Sequence, residues 1–165
     1  MPNTRRNTLP DGTEAFSLDD FLPYQVSVLA DTLSRSLARV YSQRFGITIP
    51  EWRVLVQLNN ESPLTAQEVA YRTSMEKPRV SRALVRLNKS GLIERSQHCS
   101  DRRVALLALS RLGKKRVAEI IPYALAWQEK LRSTVGSDEL QTLLDTSRKV
   151  TRVLREKPGR DLAQE

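Results

Sequence analysis

The feature that most constrains the fold is a change of apolar period at Gly91. Before it, residues 77–89 show the spacing of an amphipathic helix with a single apolar stripe. The stripe consists of Val80, Ala83, Leu84 and Leu87. After Gly91, residues 92–95 and 104–109 are typical of two short strands joined by a polar loop. The chain is therefore expected to place a basic amphipathic helix beside a small pair of strands.

The segment before this helix has the spacing of a helix-turn-helix unit. A short helix is predicted from about Thr65 to Arg72, since Thr65 with Glu68 three residues later forms a capping-box pattern. In helix-turn-helix units a small residue precedes a tight turn by four positions, and an apolar residue follows the turn by six. These positions are Ala70, Ser74 and Val80. Ser74 departs from the glycine that often occupies the turn.

Long amphipathic helices are predicted on both sides of this unit. The first starts at Leu18 and stops near Gly46, and a second opens at Pro50. Ser110 can cap a long helix that bends near Pro122, and a final helix follows it. The predicted fold is mainly α with a small two- or three-stranded wing, an α+β fold in which a winged helix-turn-helix is embedded in a helical dimerisation region. Its predicted divisions are an arm (1–16), N-terminal helices (17–62), a winged unit (63–109), C-terminal helices (110–156) and a tail (157–165).

Charge and cysteine content narrow the classes of function. The 165 residues contain 27 Lys+Arg and 19 Asp+Glu, and this net charge of +8 favours a polyanionic partner. Residues 65–109 hold nine basic and four acidic residues, so most of the excess lies in the winged unit. A single cysteine, Cys99, excludes an intramolecular disulfide and suggests a reducing compartment. Since no stretch approaches about 18 consecutive apolar residues, we expect a cytoplasmic protein without a membrane partner.

The polar face of residues 77–89 predicts a surface that reads DNA. We call this face the cationic ridge; it consists of Arg79, Arg82, Arg86 and Lys89, with Ser81 at its edge. A helix fits the major groove, where Arg and Lys donate to guanine O6 and N7. An arginine-rich helix face alone is more often a solvated surface. The helix-turn-helix spacing, the strand pair and the basic tip at 101–103 together favour DNA, because arginine at a wing tip can enter the minor groove.

Three stretches of the chain resemble the MarR family of bacterial transcription regulators. They are "IPEWRVLVQL", "LTAQEVAYRTSMEKPRVSRALVRLNKSGLIER", and the wing "DRR" followed by "ALLALSRLGKKR". The resemblance extends from about Leu18 to Leu154, with Ser110 where the family usually has threonine. It implies a C2 homodimer in which the first and last long helices of the two subunits interlock. By the family motif, Arg103 would enter the minor groove and Asp101 would orient it.

The ridge, the wing and the resemblance together predict which residues contact double-stranded DNA. They are Thr65, Lys77, Arg79, Ser81, Arg82, Arg86, Arg95, Asp101, Arg102 and Arg103. Two recognition helices related by a twofold axis would lie about 34 Å apart, one turn of DNA. We therefore expect a homodimeric repressor of a palindromic operator. A non-specific architectural DNA-binding protein shares the charge evidence but needs neither a dimer nor an effector pocket.

The resemblance also implies control by a small-molecule effector. The first long helix and "EWRVL" are similar to members that govern the breakdown of aromatic acids, some of which sense aryl-coenzyme A thioesters. The effector is therefore expected to be an aromatic carboxylate or an aryl-coenzyme A thioester. Its candidate contacts are Tyr24, Tyr41, Arg44, Trp52 and Arg53. For each residue alone, ordinary packing or a solvated charge is the simpler interpretation.

The sequence contains no pattern that points to an enzyme or a metal site. It has no phosphate-binding glycine loop and no nucleophile elbow. His98 and Cys99 are the only histidine and cysteine, too few for a structural metal site. Sensor cysteines of the family lie in the first helix, so Cys99 is interpreted as a plain thiol of the wing loop. We expect no catalytic residues, no metal and no cofactor.

Overall fold

The computed structural model describes residues 16–97 and 105–156. Within these residues the chain forms six α-helices, three β-strands and a 3-10 helix at Leu18–Asp20. The elements are α1 (Leu22–Phe45), α2 (Ile49–Asn60), β1 (Leu64–Thr65), α3 (Ala66–Thr73), α4 (Lys77–Lys89), β2 (Ile93–Gln97), β3 (Ala105–Leu109), α5 (Arg111–Val135) and α6 (Ser137–Glu156). This order confirms the predicted fold class. The chain divides into two compact units within α5, after Ile120.

The sheet of the first unit is antiparallel, with β3 in its centre. β2 pairs with β3 so that Ile93 lies opposite Leu109, and β1 pairs Leu64 with Leu107 on the other side of β3. The apolar pattern predicts β2 and β3 but not β1 as a separate strand. A two-residue strand is too short to show the alternation by which strands are predicted. β1 nevertheless ties the start of α3 to the wing strands.

The core of the first unit lies between α2, α3, α4 and the sheet. Its most deeply buried side chains include Val54, Leu55, Leu58, Leu64, Val69, Val80, Leu87 and Leu107. All four apolar residues predicted to form the stripe of α4 are buried. Burying one such large side chain contributes roughly 1.5–3 kcal/mol. The stripe therefore fixes the rotation of α4 about its axis and turns the basic face of the helix outward.

The turn between α3 and α4 is centred on Ser74, as the spacing predicted. Ser74 adopts the left-handed conformation, with φ 52° and ψ 39°. The Met75 N–H donates to the Ala70 carbonyl at 3.1 Å, which closes the end of α3. Ala70 and Val80 are both buried beside this turn. A residue with a Cβ atom is strained in this left-handed conformation. The geometry therefore explains why glycine is common at this position.

Replacing Ser74 by glycine is expected to raise the free energy of unfolding by about 0.5–1 kcal/mol, because glycine adopts a positive φ without a steric cost. Chemical denaturation measures this difference. Ser90→Gly is the matched control, since Ser90 ends α4 with φ −83° and gains nothing from glycine. Equal effects of the two substitutions would contradict the assignment of strain to Ser74.

The predicted start of α1 at Leu18 is wrong by one turn. Residues 18–20 form a 3-10 helix, Phe21 is extended with φ −85° and ψ 110°, and α1 begins at Leu22. Pro23 lies in the first turn of α1, where its missing N–H and fixed φ are favourable. The apolar spacing did not reveal this break, because the side chains of Leu18 and Leu22 keep the period across it.

Ser110 caps α5, as predicted, and also joins this helix to the end of α4. Its Oγ accepts a hydrogen bond from the Gly113 N–H at 2.9 Å and donates to the Gly91 carbonyl at 2.6 Å. The Ser110 N–H donates to the Leu92 carbonyl at 3.1 Å. Gly113 packs directly against the Leu92 carbonyl, and a side chain at that position would overlap it. The start of α5 is thereby fixed against the segment that follows α4.

The second unit contains the remainder of α5 and α6. The first turn of α6 carries Asp138 and Glu139 and its last turn carries Arg155, an order that complements the helix dipole. Several apolar side chains of α6 remain between 38% and 50% exposed in the single chain. They are Leu143, Leu144, Val150, Val153 and Leu154. Among the described residues, no helix is both long and apolar enough to span a membrane.

Candidate nucleic-acid interface

The solvent-facing side of α4 carries the predicted cationic ridge. Arg79, Arg82, Arg86 and Lys89 are all exposed, as are Lys77 and Ser81. Pro78 lies in the first turn of this helix, where proline is tolerated. The structure thus gathers these predicted residues on one open helix face. Their contacts with DNA remain a prediction.

One member of the ridge is also tied to the protein interior. The Arg86 Nε lies 2.8 Å from Oε1 of Glu51 in α2, whose side chain is only 5% exposed. The other oxygen, Oε2, accepts hydrogen bonds from the backbone N–H and the hydroxyl of Thr48, both at 2.7 Å. Both Glu51 oxygens are therefore occupied. Glu51 caps the start of α2 and holds Arg86 of α4 at the same time.

This role of Glu51 is absent from the residues predicted on sequence alone. A signal for its capping function is present, because threonine followed three residues later by glutamate marks the N-terminus of α2. The pairing with Arg86 has no such signal, since the two residues are 35 positions apart in the chain. Arg86 remains 64% exposed. It can therefore belong to the ridge while it fixes the position of α4 against α2.

A double-mutant cycle should detect the Glu51–Arg86 pair. Glu51→Gln keeps an oxygen for Thr48 but places an amide where Arg86 needs an acceptor, and Arg86→Met removes the charge from the other side. We expect a coupling free energy of about 1 kcal/mol, modest because Arg86 faces solvent. Denaturation of the wild type, both single variants and the double variant provides the four values. Additive losses would show that the contact does not stabilise the fold.

A cleft of about 410 Å³ lies between the start of α4 and the wing strands. Lys77 and Ser81 line it from α4, and Arg95 lines it from β2. Val80, Leu84 and Leu107 are among the apolar residues that line it. The structure thus places Arg95 of β2 on the same cleft as the start of α4.

Thr65 acts as a helix cap in the structure. Its hydroxyl accepts from the Glu68 N–H at 3.2 Å and donates to the Glu68 carboxylate at 2.8 Å. The hydrogen bonds from Thr65 hold the pKa of Glu68 below its ordinary value. The predicted capping box is confirmed, and the predicted contact of Thr65 with DNA stays a prediction.

The tip of the wing lies outside the described residues. The predicted DNA contacts Asp101, Arg102 and Arg103 belong to it, as do His98 and Cys99. Their proposed roles therefore stay predictions. In residues 16–97 and 105–156, no three His, Cys, Asp or Glu side chains are grouped as a metal site requires.

The structure brings together only some of the residues predicted to bind an effector. Tyr41 and Trp52 form a ring pair with centroids 5.4 Å apart, and Tyr41 is 1% exposed. Burial raises the pKa of Tyr41 to about 12, and the charge of Arg53 opposes the shift. Tyr41 is therefore a neutral packing residue in this conformation. The Arg53 guanidinium donates to Ser34 Oγ of α1 at 3.2 Å.

Trp52 and Arg53 border a cleft of about 260 Å³ that reaches Arg72 and Thr73 of α3. Tyr24 does not join them, because 17 residues of α1 separate it from Tyr41, about 25 Å of helix. Arg44 is exposed in the last turn of α1. Within one protomer, the five predicted residues therefore do not line a single pocket.

Comparison with known proteins identifies the family. The MarR family profile matches residues 47–105, from two residues before α2 to the first residue of β3. An HTH-type transcriptional regulator of Bacillus cereus is 30% identical over 132 residues, which are 80% of this chain and 86% of that protein. The chain belongs to the MarR family. It is accordingly a DNA-binding transcriptional regulator of the MarR type, and the resemblance noted in the sequence is confirmed at this level.

Solved structures of MarR-type regulators share the fold. The repressor CouR bound to a 23-mer DNA duplex superposes with a TM-score of 0.74 at 20% identity, over 84% of this chain and 99% of CouR. NadR in complex with 4-hydroxyphenylacetate superposes with a TM-score of 0.69 at 22% identity, over 84% of this chain and 97% of NadR. At these identities the likeness shows that the chain has the MarR winged-helix fold.

Proposed function

We propose that this MarR-type regulator is a cytoplasmic, homodimeric repressor that binds a palindromic operator. The observation that carries the proposal is the exposed cationic ridge of α4, which the buried stripe of the same helix turns outward. CouR, a repressor of the same fold, has been solved on a DNA duplex. A rigid helix with outward guanidinium groups suits the major groove, where arginine donates to guanine.

Dimerisation is proposed because long helices leave apolar faces uncovered in the single chain. On α1, Leu22, Val26 and Leu29 follow a spacing of four and three and are 62%, 53% and 39% exposed. On α6, the apolar residues from Leu143 to Leu154 are also exposed. Contiguous apolar surface of this kind marks interaction sites. A second copy of the chain that covers these faces would double the DNA contacts of one winged unit.

We propose an aromatic carboxylate or its coenzyme A thioester as the effector, and control of aromatic acid breakdown as the setting. The cleft beside Trp52 and Arg53 pairs an aromatic ring with a guanidinium group, as such a ligand needs. NadR, of the same fold, has been solved with 4-hydroxyphenylacetate. At about 260 Å³, the cleft suits a monocyclic acid, and a thioester would leave its coenzyme A portion outside.

The experiment that tests the regulator is selection of bound sequences from a random DNA pool, with the purified full-length protein. We expect a palindrome with half-sites one helical turn apart and a solution mass of two chains. The affinity for the selected sequence should exceed that for competitor DNA by at least about 10³-fold at physiological salt. Strong, salt-sensitive binding without a motif would instead favour the architectural alternative.

The effector is tested on the selected operator. Aromatic carboxylates and their coenzyme A thioesters are titrated into the protein–DNA complex, and release of labelled DNA is measured. An effector that favours the DNA-free form by about 1–3 kcal/mol weakens binding about 5- to 150-fold. The matching alcohols and amides, which lack the carboxylate, serve as controls. If the acid and the amide released the DNA equally, the proposed contact between the carboxylate and the Arg53 guanidinium would be contradicted.

A further inference from the structure

Val85 is a large apolar side chain in the middle of the cationic ridge. It is 58% exposed, although α4 buries its other apolar residues Val80, Ala83, Leu84 and Leu87. Valine is a poorer helix former than the lysine, arginine or glutamine that usually occupies an exposed helix position. The stability of the helix therefore does not explain why valine is present here.

The position of Val85 on the helix surface separates it from an ordinary exposed valine. Ser81 and Arg82 precede it by four and three residues, and Lys89 follows it by four. These are the neighbours of Val85 on the surface of an α-helix. Isolated exposed valines are common and need no explanation. This one is surrounded by the polar and cationic side chains that would enter the groove.

We propose that Val85 reads thymine in each half-site, by packing its methyl groups against the thymine C5-methyl group. The proposal rests on the proposed function, since it requires that α4 lie in the major groove. The thymine methyl is the apolar group that an unmodified base pair presents there. The charged ends of the neighbouring side chains cannot make this contact, whereas a branched aliphatic side chain can.

The geometry also places the thymine within the operator. Residues three apart on a helix have Cβ atoms about 5–6 Å apart, and successive base pairs are stacked about 3.4 Å apart. If Arg82 donates to a guanine, Val85 faces a base pair one or two steps away. The operator is therefore expected to contain a thymine one or two positions from that guanine, on either strand.

The test removes only the methyl group from the DNA. Each thymidine of the selected operator is replaced in turn, symmetrically in both half-sites, by deoxyuridine, and the affinity of the full-length protein is measured. At one position we expect the affinity of the wild-type protein to fall about fourfold per half-site, which is the effect of removing one buried methyl group. Val85→Ala, whose single methyl lies farther from the base, should show a clearly smaller difference in affinity between the thymine and uracil operators.

Val85→Thr provides the matched control, because it keeps the branched shape and one methyl but adds a hydroxyl. It should retain part of the preference for thymine. Thermal unfolding checks that both variants fold, which is expected since position 85 faces solvent. The inference is overturned if no replacement of thymine by uracil lowers the affinity of the wild type more than it lowers that of Val85→Ala. It is also overturned if the operator contains no thymine one or two positions from the guanine assigned to Arg82. Failure of the proposed function is distinct from these outcomes, because it would leave no selected operator to substitute.

Discussion

Replacement of Arg82 by alanine is expected to weaken binding to the selected operator about 150-fold, the combined loss of roughly 1.5 kcal/mol in each of two half-sites. Arg82 is exposed on the outward face of α4, one turn before Val85 and Arg86. A bidentate contact with guanine O6 and N7 fits its guanidinium group. The loss should be larger for the selected operator than for competitor DNA, because a base contact is removed. Fluorescence anisotropy with both DNAs measures the two affinities.

Two control variants separate base reading from general attraction. Arg82→Lys keeps the charge but loses the planar fork of donors, so it should retain non-specific affinity and lose preference for guanine. Arg35→Ala removes an equal charge from α1, where Arg35 is paired with Asp31 at 2.9 Å, and should change operator affinity much less. If Arg82→Ala lowers both DNA affinities equally, Arg82 contacts phosphate rather than a base.

Replacement of Gly113 by alanine is expected to lower the free energy of unfolding by about 3 kcal/mol, near the upper end for an overpacked site. The new Cβ would overlap the Leu92 carbonyl oxygen, a backbone atom that cannot rotate away. Relief would require α5 to move from the end of α4, which would break the hydrogen bonds of Ser110. Chemical denaturation measures the loss.

Gly91→Ala is the matched control for this effect. Gly91 has φ +66°, so alanine is strained there, but the added Cβ would meet no neighbouring atom within 4 Å. We expect a loss of about 1 kcal/mol, the cost of a left-handed alanine alone. A loss at Gly113 no larger than the loss at Gly91 would show that α5 adjusts without cost, and would contradict the close contact.

The recognition helix could be predicted from the sequence because its information is local. The spacing of Val80, Ala83, Leu84 and Leu87 determines one face, and the opposite face follows from helix geometry. The turn at Ser74 and the caps at Thr65 and Ser110 are also set by neighbours in the chain. Each of these predictions depends on a few consecutive residues, and each is confirmed.

Features that depend on distant residues could not be predicted in the same way. The contact between Glu51 and Arg86 joins two helices, and nothing in either helix alone indicates it. The predicted effector residues failed to gather for a related reason. A sequence pattern assigns Tyr24 and Tyr41 to one helix but does not show that one is exposed and the other buried. The strand β1 has only two residues, too few to show the alternation of apolar and polar side chains by which strands are predicted.

Glu51 contacts both Thr48 at the start of α2 and Arg86 of α4, and this links α4 to a cleft beside α2. Trp52 and Arg53, which border the cleft between α2 and α3, follow Glu51 directly in the chain. Glu51 also pairs with Arg86 of α4, one helical turn beyond Arg82. The first turn of α2 therefore borders the cleft and contacts α4 at the same time. A ligand that displaced this turn would either move α4 with it or break the Glu51–Arg86 ion pair.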